Sequence, residues 1–193
     1  MHTTFLLHGG RLKYADARND AYFRELTKGL RDGDQVLFVG FARRDKQDRW
    51  EVYERERQYI VTQTSADIEV INATYEDFMA QLHAAKVVHI TGGESPELVD
   101  DMKGYPDFIE ALKGKVVGGS SAGACLFSTY YFFSGEPGVL EGLGTLPLRL
   151  RVHSDNPEFG DIERSLQLLD EYPKELELVQ LAECAWVKKI VEL

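Results

Sequence analysis

The serine with the most reactive setting in this chain is Ser121, at the centre of Gly119-Ser120-Ser121-Ala122-Gly123. That is a G-x-S-x-G pattern, preceded by the β-branched run Val116-Val117 and followed by small residues able to open a helix. A serine on a sharp strand-to-helix turn sits on strained backbone, and glycines two residues either side remove side chains that would clash. The turn lifts Oγ out of the sheet and lets the next N–H face a developing oxyanion. The chemistry this supports is acyl transfer by a serine nucleophile. Ser121 is favoured over Ser120 because it alone is central to the pattern.

A serine hydroxyl needs a base, and the base needs an orienting acid. Five histidines are available. His2 lies near the start and His83 in a helical pattern; His89 sits inside an apolar strand, the setting of a satisfied core imidazole. His8 ends the first strand and could line a site. His153 follows the alternating run Leu146–Val152 and precedes the loop-forming Ser154-Asp155-Asn156-Pro157, which makes it the best candidate base. For the acid, spacing leaves Glu136, Asp155 and Glu183 open. No Cys/His cluster has zinc-ligand spacing, so no metal and no cofactor are expected.

The elements that must position these groups alternate along the chain. Strands are expected at Thr4–His8, Gln35–Phe41, Asp67–Ile71 and Lys86–Thr91, and the elbow strand is the fifth. Helices are expected at Ala17–Leu30, Arg49–Thr64 and Tyr75–Ala85, from about Ser95-Pro96, and over Pro106–Lys113. The near-continuous apolar strands suit a buried parallel sheet. The expected fold is α/β, a mostly parallel twisted sheet with helices on both faces, in one domain spanning 1–193. Thr129–Ser134 then reads as an aromatic strand, Gly135–Gly144 as a glycine-rich loop and Leu146–His153 as a strand. Asp161–Glu171 reads as a helix, with Leu176–Leu181 and Ala185–Val191 as closing strands. Sites in such sheets collect beyond the carboxyl ends of the strands, where Gly9-Gly10, Phe41, Gly92-Gly93 and Ser121 all fall.

Composition sets outer limits. The net charge of −10 argues against a nucleic-acid partner. No run approaches the ~20 apolar residues of a membrane span. Two cysteines, Cys125 and Cys184, are too few for a disulfide framework, and the first residues lack a signal-peptide pattern, so a cytoplasmic location is expected.

Val117–Ala124 resembles the nucleophile turn of the dipeptidase E family of serine peptidases, relatives of cyanophycinase with a class I glutamine amidotransferase-like fold. Val88–Thr91 with Gly92-Gly93-Glu94-Ser95 is similar to that family's oxyanion loop. Gly142–Pro147, leading to His153, looks like its histidine segment, and Leu181–Trp186 like the turn carrying its glutamate. The resemblance implies Ser121 as nucleophile, His153 as base, Glu183 as orienting carboxylate and the Gly93 and Ala122 N–H groups as oxyanion donors. It further implies a short peptide or small-molecule acyl compound as substrate; Gly92 in the glycine loop and Phe132 in the aromatic run are expected substrate contacts. A glutamine amidotransferase of this fold would carry cysteine at the elbow; Cys125, four residues on, reads as core. Two features depart from the family: the histidine context is Leu150-Arg151-Val152-His153-Ser154, and Tyr130-Tyr131-Phe132-Phe133 replaces the stretch where aspartyl dipeptidases carry an arginine. Neutral or apolar residues before the scissile bond are therefore expected over Asp-X, unless Arg149 or Arg151 supplies the charge. An esterase using the same triad, and a non-catalytic binding protein on the same fold, are the alternatives.

Overall fold

Alternation within the apolar strands decides the architecture. In the computed structural model, which describes residues 1–193, β1 (His2–His8) sends Phe5 and Leu7 into one core and Leu6 into another. β2 (Gln35–Val39) divides Leu37 and Val39 from Val36 and Phe38 in the same way. Both faces of these strands are covered, which is why their sequences read as continuous apolar runs. With β3 (Glu69–Asn72), β4 (Val87–Ile90), β5 (Val116–Ser120) and β10 (Trp186–Glu192) they form a six-stranded sheet of order β10-β1-β5-β4-β2-β3. Its pairings are parallel except for β10, which runs antiparallel to β1.

α1 (Ala17–Leu26) and α2 (Lys46–Thr62) cover the face carrying the smaller core, through Tyr22, Phe23 and Leu26 and through Val52, Tyr53 and Ile60. The opposite face packs on α3 (Phe78–Ala84), α4 (Ser95–Lys103) and α5 (Phe108–Ala111). The mixed α/β architecture, mostly parallel with helices on both faces, is as the sequence led us to expect.

The later strands depart from that expectation. β6 (Ser128–Phe133), β7 (Gly138–Glu141), β8 (Leu146–Val152) and β9 (Glu177–Leu181) build a separate four-stranded sheet of order β7-β6-β8-β9. The reason lies in β8. Leu148, Leu150 and Val152 share one face and join the larger core, while Arg149 and Arg151 point the other way, against α7 (Ile162–Asp170). The stretch read as a loop over Gly135–Gly144 contains only a turn at 134–137 before β7 pairs antiparallel with β6. α1 stops short of Leu30, with the Thr27 hydroxyl donating to the Phe23 carbonyl at 2.8 Å. α2 begins earlier than expected because the Asp45 carboxylate accepts from the Asp48 N–H at 2.8 Å, an N-cap upstream of the first apolar residue.

Candidate active site

Packing around the elbow explains its glycines. A Cβ on Gly119 would lie 2.3 Å from the Gly123 carbonyl oxygen, and one on Gly123 would lie 2.2 Å from that of Ile90. The strand and α6 (Ala122–Cys125) can approach this closely only without those side chains. Ser121 itself holds φ +51°, ψ −108°, and its N–H donates to the His8 carbonyl at 2.9 Å. Four non-glycine residues have positive φ: Arg11, Ser121, His153 and Cys184. All four lie within this site or directly beside it, so backbone strain is concentrated where the reactive groups converge.

The structure brings the three sequence-nominated residues together. Ser121 Oγ is 3.0 Å from His153 Nε2, and His153 Nδ1 is 3.0 Å from Glu183 Oε1. An ionised Glu183 only accepts, so Nδ1 carries the proton and Nε2 is left to accept from the serine hydroxyl. The seat for His153 comes from the end of β1. The His153 N–H donates to the Gly9 carbonyl at 3.1 Å, and a Cβ on Gly10 would lie 2.1 Å from His153 Cε1. Gly10 is therefore glycine for two reasons: φ of +112° and the imidazole occupying its side-chain space.

Glu183 is held by more than the histidine. Its Oε1 also accepts from Asn156 Nδ2 at 2.8 Å and Arg11 Nε at 3.0 Å, and its N–H donates to Asp155 Oδ1 at 2.8 Å. Burial pushes the Glu183 carboxyl up, but the hydrogen bonds from Asn156, Arg11 and His153 outweigh it and hold the group below its ordinary range. Burial lowers the pKa of His153, which is only 5 % exposed, against the opposing pull of Glu183. Phe159 stacks on the His153 ring at 3.8 Å with 7° between planes, and the Arg11 guanidinium lies 5.3 Å from the Phe159 centroid. The imidazole is thus neutral-biased, oriented and shielded on one face.

The other candidates fall elsewhere. His2 and His83 are exposed, and His8 bonds Asn19 at 2.8 Å beneath the elbow, where burial lowers its pKa to about 4. His89 is fully buried against Glu56 and Tyr22. Glu136 is exposed in the β6–β7 turn, and Asp155 supports the Glu183 backbone rather than facing the imidazole. Cys125 is core, its thiol pushed up to about 12 by burial.

A cleft of about 340 Å³ opens over Ser121 and His153, lined also by Gly10, Gly92, Gly93 and Phe159. Arg11, Lys13, Arg43 and Arg55 lie along it, as do Asp48, Glu56 and Glu94. Arg43 and Arg55 each leave a buried Nε without a partner. A neighbouring cavity of about 140 Å³ is lined by Phe132, Phe133 and Arg151.

A family model described as Peptidase family S51 matches residues 5–190. The chain belongs to that family. S51 enzymes are serine-type peptidases, dipeptidase E among them, and this chain is one by class. The fold agrees. A crystal structure of a protein described as a candidate peptidase E, from Listeria monocytogenes EGD-e, superposes with a TM-score of 0.71 at 15% identity, covering 100% of both chains. A peptidase from an acI-B1 actinobacterium gives a TM-score of 0.69 at 17% identity, covering 100% of this chain and 88% of the other. No curated protein sequence matches this S51 chain.

Sequence reading missed Arg11, Asn156 and Phe159. A signal existed for the first in Gly9-Gly10-Arg11 at a strand end, and for the others in the turn-forming Asn156-Pro157 just beyond the histidine. The aromatic run alternates: Tyr131 is core and Phe133 packs against it, while Tyr130 packs on Tyr172 and Phe132 lies against Arg151; Phe132 and Phe133 both reach the smaller cavity. Of the two arginines that could supply charge here, Arg151 has its guanidinium 4.8 Å from the Phe132 ring centroid.

Proposed function

We propose that this S51 peptidase cleaves short peptides through an acyl-enzyme on Ser121. His153 takes the serine proton as Oγ attacks the scissile carbonyl, and Glu183 stabilises the imidazolium that forms. Gly93 and Ala122 N–H groups face the oxyanion; loss of one such donor typically costs ~2.7–4 kcal/mol of barrier. His153 then returns the proton to the leaving amine and activates the water that releases the acyl group. The observation that carries this reading is the Ser121–His153–Glu183 chain, with 3.0 Å at each link.

The guanidinium groups of Arg43 and Arg55, which line the cleft while pairing with Asp48 and Glu56, favour a substrate bearing a carboxylate through their positive charge. This reverses the preference for neutral residues expected from the aromatic run. A dipeptide panel including Asp-X, Glu-X, Leu-X and Ala-X, run beside p-nitrophenyl esters on wild type and Ser121→Ala, tests the proposal. Peptide hydrolysis lost in Ser121→Ala supports it. Ester turnover without peptide turnover would make the chain an esterase, and turnover of neither would favour a binding role.

A further inference from the structure

At the wall of the cleft, which Glu56 and Thr91 help to line, lies a nearly buried polar chain that the triad does not use. Tyr22, Glu56, His89 and Thr91 are each at most 2 % exposed. Tyr22 Oη is 3.1 Å from His89 Nδ1, His89 Nε2 is 2.9 Å from Glu56 Oε2, and Thr91 Oγ1 donates to Glu56 Oε1 at 3.1 Å. Both oxygens of one α2 carboxylate therefore grip the end of β4, one through His89 on the strand and one through Thr91 directly after it. The glycine pair of the cleft follows at once: Thr91 is bonded to Gly92, and Gly92 is packed so closely that a Cβ there would lie 3.1 Å from Ser121 Cβ. Farther on, the Glu94 N–H donates to the Ala42 carbonyl at 2.8 Å, so the loop is latched beyond the glycines as well.

A carboxylate this deeply buried is costly unless fully paired, and apolar residues fill such a space at lower cost. Here its partners are the last residues before the loop facing the nucleophile. We infer that Glu56 and Thr91 are positioning residues that set the height of the Gly92-Gly93 loop against Ser121, and hence the reach of the Gly93 N–H to the oxyanion. The inference rests on the acyl-enzyme reading above. Catalysis by fixed donors depends on their holding position before charge develops, so the strap acts on the rate of bond formation at Ser121 and leaves initial binding alone. Glu56 stays ionised because, although burial pushes it up, the bonds from His89 and Thr91 hold it below its ordinary range.

The probe is an alkyl fluorophosphonate, whose reaction with serine develops charge on the same oxygen position and needs no peptide specificity. The maximal phosphonylation rate and the half-saturating concentration are measured for wild type, Thr91→Val, Thr91→Ser and Glu56→Gln, with Ser121→Ala as control and a thermal melt for each. Thr91→Val removes the hydroxyl with little change of shape and is expected to lower the maximal rate about ten-fold, at an unchanged half-saturating concentration. Thr91→Ser is expected to restore most of it. If Thr91→Val melts below the assay temperature, Glu56→Gln, which keeps the shape, carries the same comparison with a loss of about three-fold or more. An unchanged maximal rate in the folded variant, or a loss that Thr91→Ser does not rescue, overturns the inference while labelling at Ser121 leaves the acyl-enzyme reading standing. Labelling that persists in Ser121→Ala overturns both.

Discussion

Gly10→Ala is the sharpest test of how the histidine is seated, because it touches no reacting atom. The new methyl would lie 2.1 Å from His153 Cε1 and 2.4 Å from Nε2, where ordinary carbon contacts are about 3.5–4 Å. The strand end cannot yield easily, since the Gly10 carbonyl accepts from the Cys184 N–H at 3.0 Å and the Gly9 carbonyl from the His153 N–H. The ring must therefore move by more than about 1 Å, and misplacement on that scale costs on the order of 100-fold in rate. The backbone contributes a second effect: alanine at φ +112° is strained by about 1–3 kcal/mol. Gly33→Ala separates the two, because Gly33 also has positive φ (+84°) but no atom within 4 Å of the added Cβ. Both variants are expected to melt lower than wild type, and only Gly10→Ala to lose about 100-fold in kcat/KM on a cleaved dipeptide. Gly10→Ala retaining activity within about two-fold of wild type would refute the seating argument.

The pH dependence follows from the same imidazole. Burial lowers the pKa of His153, and the base must be neutral to accept the serine proton, so kcat/KM is expected to fall with acid through a midpoint below the ordinary 6.5; a midpoint above 7 would contradict this. His8 governs stability separately. Its folded pKa of about 4 lies below the unfolded value near 6.5, so the unfolded chain binds more protons between those limits and stability falls as pH drops through them. Urea unfolding at pH 7 and pH 5 is expected to show a loss of about 2 kcal/mol from this group, largely absent in His8→Gln. On specificity, Asp-X dipeptides are expected to be cleaved at least as efficiently as Leu-X, with the advantage lost in Arg43→Ala; a strong Leu-X preference in wild type would return the aromatic residues to the substrate pocket.

Much of the candidate site's geometry was legible because local constraints and chemistry coincide at the elbow. Gly119 and Gly123 are there for close approach, and a serine between them implies a base and an acid somewhere beyond. That the early strands form a buried, mostly parallel sheet was readable from their uninterrupted apolar runs; their spatial order was not. The second sheet was not, because β6, β8 and β9 look like further strands of the first, and only packing shows that Leu148, Leu150 and Val152 roof its larger core. Arg11 and Asn156 escaped notice because an arginine in a loop and an asparagine in a turn have ordinary local explanations. Their role depends on Glu183, 172 and 27 positions away. The buried Glu56 looked like one more charge on a charged helix, since its partners His89 and Thr91 lie on a different element.

The central claim is that Ser121 is the nucleophile and His153 its base. Mass mapping of the fluorophosphonate adduct tests it most directly, on wild type, Ser120→Ala and His153→Ala proteins that retain a cooperative thermal melt. The account expects a single adduct on Ser121 in wild type and in Ser120→Ala, and almost none in His153→Ala. An adduct on Ser120, or undiminished labelling of Ser121 without the imidazole, would contradict it.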